Sequence, residues 1–312
     1  MTGAGTPVEG LRSPPVVVRD RAPLLPKVAF VLIAVASLLG TALTNRGLGI
    51  PAVLLLPRWL ALWAAAAALG FLLWRVAYLR DREAEVPADE LVDYRDATLA
   101  RATLVGRVLA AVVALTVPLG AMADHLASRP EIRLLLAVAA SVLVTSLAVG
   151  PRRRCVGSLG LVAAGAVLVG WAIGDAGTGV AGVWRGLHLA AFGLWVGGAL
   201  WNLSVAIPVG VRHPTIAAVT SGAHQLHRFR LVARVSLPTI VLTGVLMADP
   251  YLADVSDLVA TVPGQFIVAK AGLIVLLVVI FITCPLYRQC SPVAGVCDLD
   301  DRDDAVHPGR RR

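Results

Sequence analysis

Charge is what this sequence has least of. Only 15% of its 312 residues are Asp, Glu, Lys or Arg, against about 25% in an ordinary soluble domain. Lysine is nearly absent, with Lys27 and Lys270 set against 26 arginines. There are four cysteines, three methionines and 5% aromatic residues. So few polar side chains cannot cover the solvent face of helices in a soluble core. The apolar content excludes a disordered chain, and four cysteines in 312 residues are too few for a disulfide scaffold. Enzyme signatures are missing too: there is no Walker loop, dinucleotide fingerprint or His-Glu-x-x-His. Anything moved by this chain is driven by a gradient, ligand exchange or redox chemistry, not by an ATP motor of its own.

What is abundant is apolar. Hydrophobic residues make up 57% before 29 glycines are counted, and the mean hydropathy is +0.78. They fall in long runs. A bilayer core of about 30 Å takes roughly 20 apolar residues per helix. Eight segments qualify: 28–44, 58–79, 104–123, 132–149, 156–174, 183–206, 231–248 and 265–286. The expected fold class is all-α, a polytopic membrane helix bundle of eight transmembrane helices. Residues 1–26, rich in Pro, Gly and Arg, read as a disordered cytoplasmic tail, and 289–312 as a cytoplasmic tail with a solvated acidic run.

The net charge of +8 reports topology. Of the 28 basic residues, 22 fall on one side of the eight spans and five on the other, with Lys270 inside the last span. Such an excess marks the cytoplasmic side, so both termini are expected there in a multi-pass plasma-membrane protein. No recognition motif accompanies the charge, so nucleic acid is not an expected partner.

The chain also repeats itself. At a shift of 127 residues, Arg101-Ala-Thr-Leu-Val-Gly-Arg107-Val aligns with Arg228-Phe-Arg-Leu-Val-Ala-Arg234-Val. The same shift pairs Arg58 with Arg185, Gly70 with Gly197, Trp74 with Trp201 and Leu115-Thr116 with Leu242-Thr243. The first and fourth helices of each half match poorly. This predicts two parallel four-helix repeats, a known membrane architecture, spanning 27–150 and 151–288. His188 falls opposite Ala61, and Lys270 opposite Leu136 or Leu143, so chemistry within the bilayer belongs to the second half.

His188 and Lys270 lie at similar depth, about 8 Å below the outer boundary of their spans. An ionisable group inside a span costs about 2.5–3.5 kcal/mol at the bilayer centre, which makes each a functional candidate. Their plainer roles are packing for His188 and snorkelling to the headgroups for Lys270. His188, Phe192, Trp195, Ala199 and Asn202 share one stripe, either a pocket wall or a helix seam aided by Gly193 and Gly197. At the outer rim, Met122-Ala-Asp124, His125 and Met247-Ala-Asp249 offer thioether, imidazole and carboxylate ligands suited to copper. Asp175, Asp254 and Asp257 read as solvated rim acids. On the inner side, Cys155, Cys284, Cys290 and Cys297 match no zinc or thioredoxin spacing. Cys284 and Cys290 are candidate Cu(I) acceptors, with His224 and His227 on the same side of the membrane.

The second half resembles the copper-resistance D family. The residues that carry this are Gly186-Leu-His188-Leu-Ala-Ala-Phe-Gly-Leu-Trp195-Val-Gly197-Gly198, Arg228-Phe-Arg230-Leu-Val-Ala with Leu242-Thr243-Gly244, and Gly264-Gln-Phe-Ile-Val-Ala-Lys270-Ala-Gly-Leu. The match covers roughly 183–287. The resemblance implies an inner-membrane protein of copper transport or copper resistance, often beside a periplasmic copper-binding partner. It implies no enzymatic activity. Two departures stand out: no copper-binding β-domain is fused, and the first half has no histidine within a span. Copper would be captured near Met122, His125, Met247 and His188 and passed to the inner cysteines, with Lys270 setting the local charge. Similar four-helix membrane units of the protoporphyrinogen oxidase type are associated with haem b. They imply an alternative oxidoreductase or haem-biosynthesis role, with His188 as axial ligand and Lys270 beside it. A third alternative is an assembly factor for a respiratory copper enzyme. Homo-oligomerisation is left open.

Overall fold

The computed structural model describes residues 24–81, 83, 88–122, 126, 128–213 and 215–283. No strand occurs among them, and eight helical segments are long and apolar enough to cross a membrane. In chain order the helices are α1 (Leu24–Gly47), α2 (Leu55–Leu73), α3 (Ala88–Gly120), α4 (Pro130–Val149), α5 (Arg154–Ala176), α6 (Val180–Trp201), the short α7 (Ile207–Arg212), α8 (Ile216–Leu246), the single turn α9 (Asp257–Ala260) and α10 (Val262–Thr283). This is an all-α polytopic bundle. Helices α3 and α8 begin some fifteen residues before their apolar runs. At 1.5 Å per residue they are about 45–50 Å long, so their first turns, charged in α3 and mostly small or polar in α8, extend past a 30 Å core on the arginine-rich face.

The centre of the bundle is the α2–α6 pair. Ala64 to Ala68 of α2 are all buried, and these small side chains let the two backbones approach. At the crossing, a Cβ on Gly197 would stand 2.6 Å from Gly70 Cα and from Phe71 N. The glycines paired by the 127-residue shift therefore meet face to face. Both helices then change pitch at matching places, with π-helical turns at Trp74–Tyr78 and Asn202–Ala206.

The remaining contacts come in exchanged pairs. Helix α3 packs on α2 as α8 packs on α6, and α4 packs on α5 as α10 packs on α1. Arg101 of α3 donates to the Ser204 carbonyl (3.0 Å) in the π-turn of α6. Its counterpart Arg228 of α8 donates to the Tyr78 carbonyl (2.8 Å) in the π-turn of α2. The arrangement is an approximate twofold of four helices on four. The boundary at residue 150 does not separate two packing units, because α1 leans on α10 and α5 lies along α2 and α4.

The twofold is broken in one region. Helix α5 packs along α2, but α1 has no comparable contact with α6. Helix α4 packs on α3, but α10 scarcely touches α8. Helix α1 is tied down lower, where Trp59 and Trp63 of α2 both donate to Ser37 Oγ, at 2.9 and 2.7 Å. Above that anchorage, between α1, α6, α8 and α10, the bundle is hollow.

Candidate functional site

The hollow is a cleft of about 990 Å³ at the arginine-poor face, with mainly apolar walls. Arg185, Asp175, Lys270, Gly40, Gly244 and Met247 are among the residues that line it. Deeper in the bundle, Trp63 and Phe192 meet edge to face at 5.3 Å within a packed layer that includes Leu277, which closes the floor.

Its charged groups form one constellation. Asp175, at the end of α5, is fully buried and is gripped by two arginines. Arg58 of α2 donates from Nη2 to Oδ1 at 2.9 Å, and Arg185 of α6 donates from Nη2 to Oδ2. These arginines are partners under the 127-residue shift, so both halves converge on one carboxylate. Arg58 also lies over the Trp171 ring at 5.0 Å, while Arg185 donates from Nη1 to Thr44 Oγ1 at 3.2 Å. Trp171 and Thr44 are themselves 127 residues apart.

That last pair explains why one helix group is hollow and the other full. In the group formed by α2, α3, α4 and α5, Val117, Val167 and Trp171 are fully or almost fully buried. Their counterparts in the group formed by α6, α8, α10 and α1 are Gly244, Gly40 and Thr44, which line the cleft. Small residues thus replace large ones at three equivalent places. The space on α1 is used by Lys270, whose Nζ lies 3.0 Å from where a Cβ on Gly40 would stand.

His188 sits just behind the cleft wall. Its Cε1 lies 3.7 Å from where a Cβ on Gly244 would stand, and Nδ1 is 2.9 Å from Thr243 Oγ1. The Thr243 hydroxyl donates its one proton to the Thr239 carbonyl at 2.6 Å, so it accepts from His188 Nδ1–H. In the neutral ring this places the lone pair on Nε2. Met247 follows Thr243 by four residues, one turn nearer the mouth and on the same face of the chain. His188 and Lys270 each lie eight residues beyond the first residue of their helix, about 12 Å along its axis. They are level, as expected, but deeper than 8 Å because both helices begin three residues earlier than the apolar runs.

The other candidates do not assemble here. Met122 ends α3 with 64% exposure and does not line the cleft, because α3 belongs with α2 and α4 rather than with the hollow group. The capture site expected from Met122 together with Met247 and His188 is therefore not formed as a cluster. His125, Cys284, Cys290 and Cys297 lie outside the described residues, and Cys155 is exposed. No group of three or more His, Cys, Asp or Glu side chains is placed to hold a metal among the described residues. The stripe on α6 is mostly a seam: Phe192 packs on Trp63, Trp195 is buried, and Asn202 Nδ2 donates back to the Gly198 carbonyl.

His224 is occupied at the opposite face. Its Nδ1 lies 3.2 Å from Glu83 Oε2, and Glu83 also accepts from Arg228 Nη1 and Nη2 at 2.7 and 2.8 Å. Burial alone would raise the Glu83 pKa, but the two bonds from Arg228 and the one from His224 outweigh it and hold the carboxyl below its ordinary 4.5. His227 is exposed and does not join them.

Sequence reasoning passed over Arg58, Arg185 and Asp175 as site residues. The arginine pair was visible in the repeat, but nothing in the chain shows that a turn aspartate points inward. No protein-family model, curated protein or solved structure matches this chain.

Proposed function

We propose that this chain is a plasma-membrane copper-handling protein that receives Cu(I) at the outer, arginine-poor face and moves it toward the cytoplasm. The observation that carries the reading is His188, whose Nδ1–H is donated to Thr243, leaving the lone pair of the neutral ring on Nε2, with the Met247 thioether one turn beyond Thr243. A ligating histidine characteristically donates its other ring N–H to an oxygen, which fixes its orientation. Imidazole and thioether together suit Cu(I) better than a hard cation. Lys270, on the facing wall, supplies positive charge that repels a bound cuprous ion and favours its onward release. The resemblance of residues 183–287 to the copper-resistance D family supports the same assignment, and cysteines 284 and 290 remain the proposed inner acceptors.

A second reading is favoured by the same Nε2 lone pair beside a large apolar cleft: haem b with His188 as axial ligand. One experiment separates the two. Purified protein is analysed for copper and by absorption spectroscopy, with His188→Ala and Met247→Leu in parallel. About one copper per chain, lost in both variants, supports copper handling. A Soret band lost in His188→Ala but kept in Met247→Leu transfers the assignment to haem. Copper content unchanged by either substitution overturns the copper reading.

A further inference from the structure

The cleft lining carries two cations, Arg185 and Lys270, and two carboxylates, Asp175 and Asp249. Asp175 is already gripped by Arg185 and, from behind the wall, by Arg58. Asp249 is exposed at the mouth. Among the described residues no carboxylate pairs with Lys270. Arg185 lines the same cleft, so two cations share one mainly apolar hollow. Several guanidinium N–H groups are buried without a hydrogen-bond partner: Arg58 Nε and Nη1, and Arg185 Nε. Unmet donors of this kind are costly inside a protein, and a buried cation ordinarily has an anion beside it. The expected complement is a second anionic group near Arg185 and Lys270.

Size and lining narrow its chemistry. A cleft of about 990 Å³ is at the upper end of small-molecule sites and far exceeds one phosphate or carboxylate. Its remaining walls, including Leu43, Val241 and Ile274, are apolar. Helices α8 and α10, which both line it, scarcely touch. The hollow follows from the residues chosen, since Gly40, Thr44 and Gly244 stand where the α2–α5 group carries the filling residues Val167, Trp171 and Val117.

We propose that this cleft is a binding site for an anionic amphiphile, with its phosphate or carboxylate headgroup held by Lys270 and Arg185 and its apolar body along α1, α8 and α10. Charge-assisted bonds from an ammonium and a guanidinium supply the selectivity, and the walls take the chain. Met247 lines the same cleft and Lys270 serves both readings, but neither His188 nor Met247 is an anion ligand, so loss of lipid and loss of copper are separable.

The test uses full-length protein in detergent, stripped of lipid, with phosphatidylglycerol, phosphatidylcholine and inorganic phosphate as separate probes. Binding is read by native mass spectrometry and by the thermal midpoint. Phosphatidylglycerol is expected to stay bound and raise the midpoint, with phosphatidylcholine weaker. Lys270→Met should weaken phosphatidylglycerol by about tenfold or more, whereas Lys270→Arg retains it. Thr44→Trp copies the equivalent filling residue, Trp171, and should abolish binding while the unliganded midpoint is kept, which separates occlusion of the site from unfolding. His188→Ala should leave the lipid bound. Inorganic phosphate matching the lipid's effect, with the same Lys270 dependence, would identify a free anion as the occupant in place of a lipid. Equal affinity for the two lipids, or binding unchanged by both Lys270→Met and Thr44→Trp, overturns the site.

Discussion

Asp175 is shared by two arginines, and these neighbours determine what its loss does. Both of its oxygens accept from guanidinium groups, and its side chain is wholly buried. Replacing it with Asn removes the only buried anion between Arg58 and Arg185 while leaving both cations in place. Removal of one member of a buried ion pair typically costs about 3–5 kcal/mol, because the remaining charge is uncompensated. Asp175→Asn is therefore expected to lower the thermal midpoint in detergent sharply, and an unchanged midpoint would show that the arginines are solvated. Sequence showed part of this site. The equal depth of His188 and Lys270 was readable by counting residues into each span, and Arg58 and Arg185 were readable as a repeated pair. Asp175 was not, because an aspartate ending a span looks the same whether it faces water or the bundle. The Thr243 bond that fixes the His188 ring was also hidden, since it joins residues 55 apart in the chain.

At the scale of helices, the α2–α6 crossing fixes how every other helix is placed. The Gly70–Gly197 contact leaves no room for a side chain, so adding a methyl forces two backbones apart. Gly197→Ala is expected to destabilise the bundle by about 1–3 kcal/mol, as overpacking does. Gly272 offers the control: it lies within α10, and a Cβ there meets nothing within 4 Å. Gly272→Ala should be neutral or stabilising by about 0.5–1 kcal/mol, because alanine loses less freedom in a helix. Equal unfolding midpoints for the two variants would argue against close packing at the crossing. Gly193 and Gly197 were legible as a candidate seam by their spacing. The π-helical turns were not, because an inserted backbone residue leaves no mark on hydropathy. The early starts of α3 and α8 were missed for a different reason: apolar runs trace the bilayer, and helix continues into charged turns such as Asp93 to Arg101.

For the molecule as a whole, the two halves are tied together by crossed contacts, and one tie is set by pH. Glu83 precedes α3 in the first half and is held by Arg228 and His224 of the second. Its carboxyl has a folded pKa below the ordinary 4.5. Its contribution is therefore fully present above about pH 4.5 and is lost as the pH falls through the lower folded value. The thermal midpoint should fall as pH drops from 5 toward 3, and Glu83→Gln should have a lower midpoint at pH 7 and a shallower acid decline. An acid decline as steep in Glu83→Gln as in the parent chain would assign the effect elsewhere. The eight spans and the duplication were legible because hydropathy and the 127-residue shift both act along the sequence. How the halves interlock was not, since α1 on α10 and α5 on α2 are choices of packing that no periodicity encodes.

The replacement of Val117, Val167 and Trp171 by Gly244, Gly40 and Thr44 also bears on stoichiometry. A faithful duplication would present two equivalent cavities, and binding could then be stepwise or cooperative within a single polypeptide. Here one copy has become ballast for the other. A ligand of the cleft should saturate at one equivalent per chain along a simple hyperbola, and any sigmoidal response would have to arise between chains.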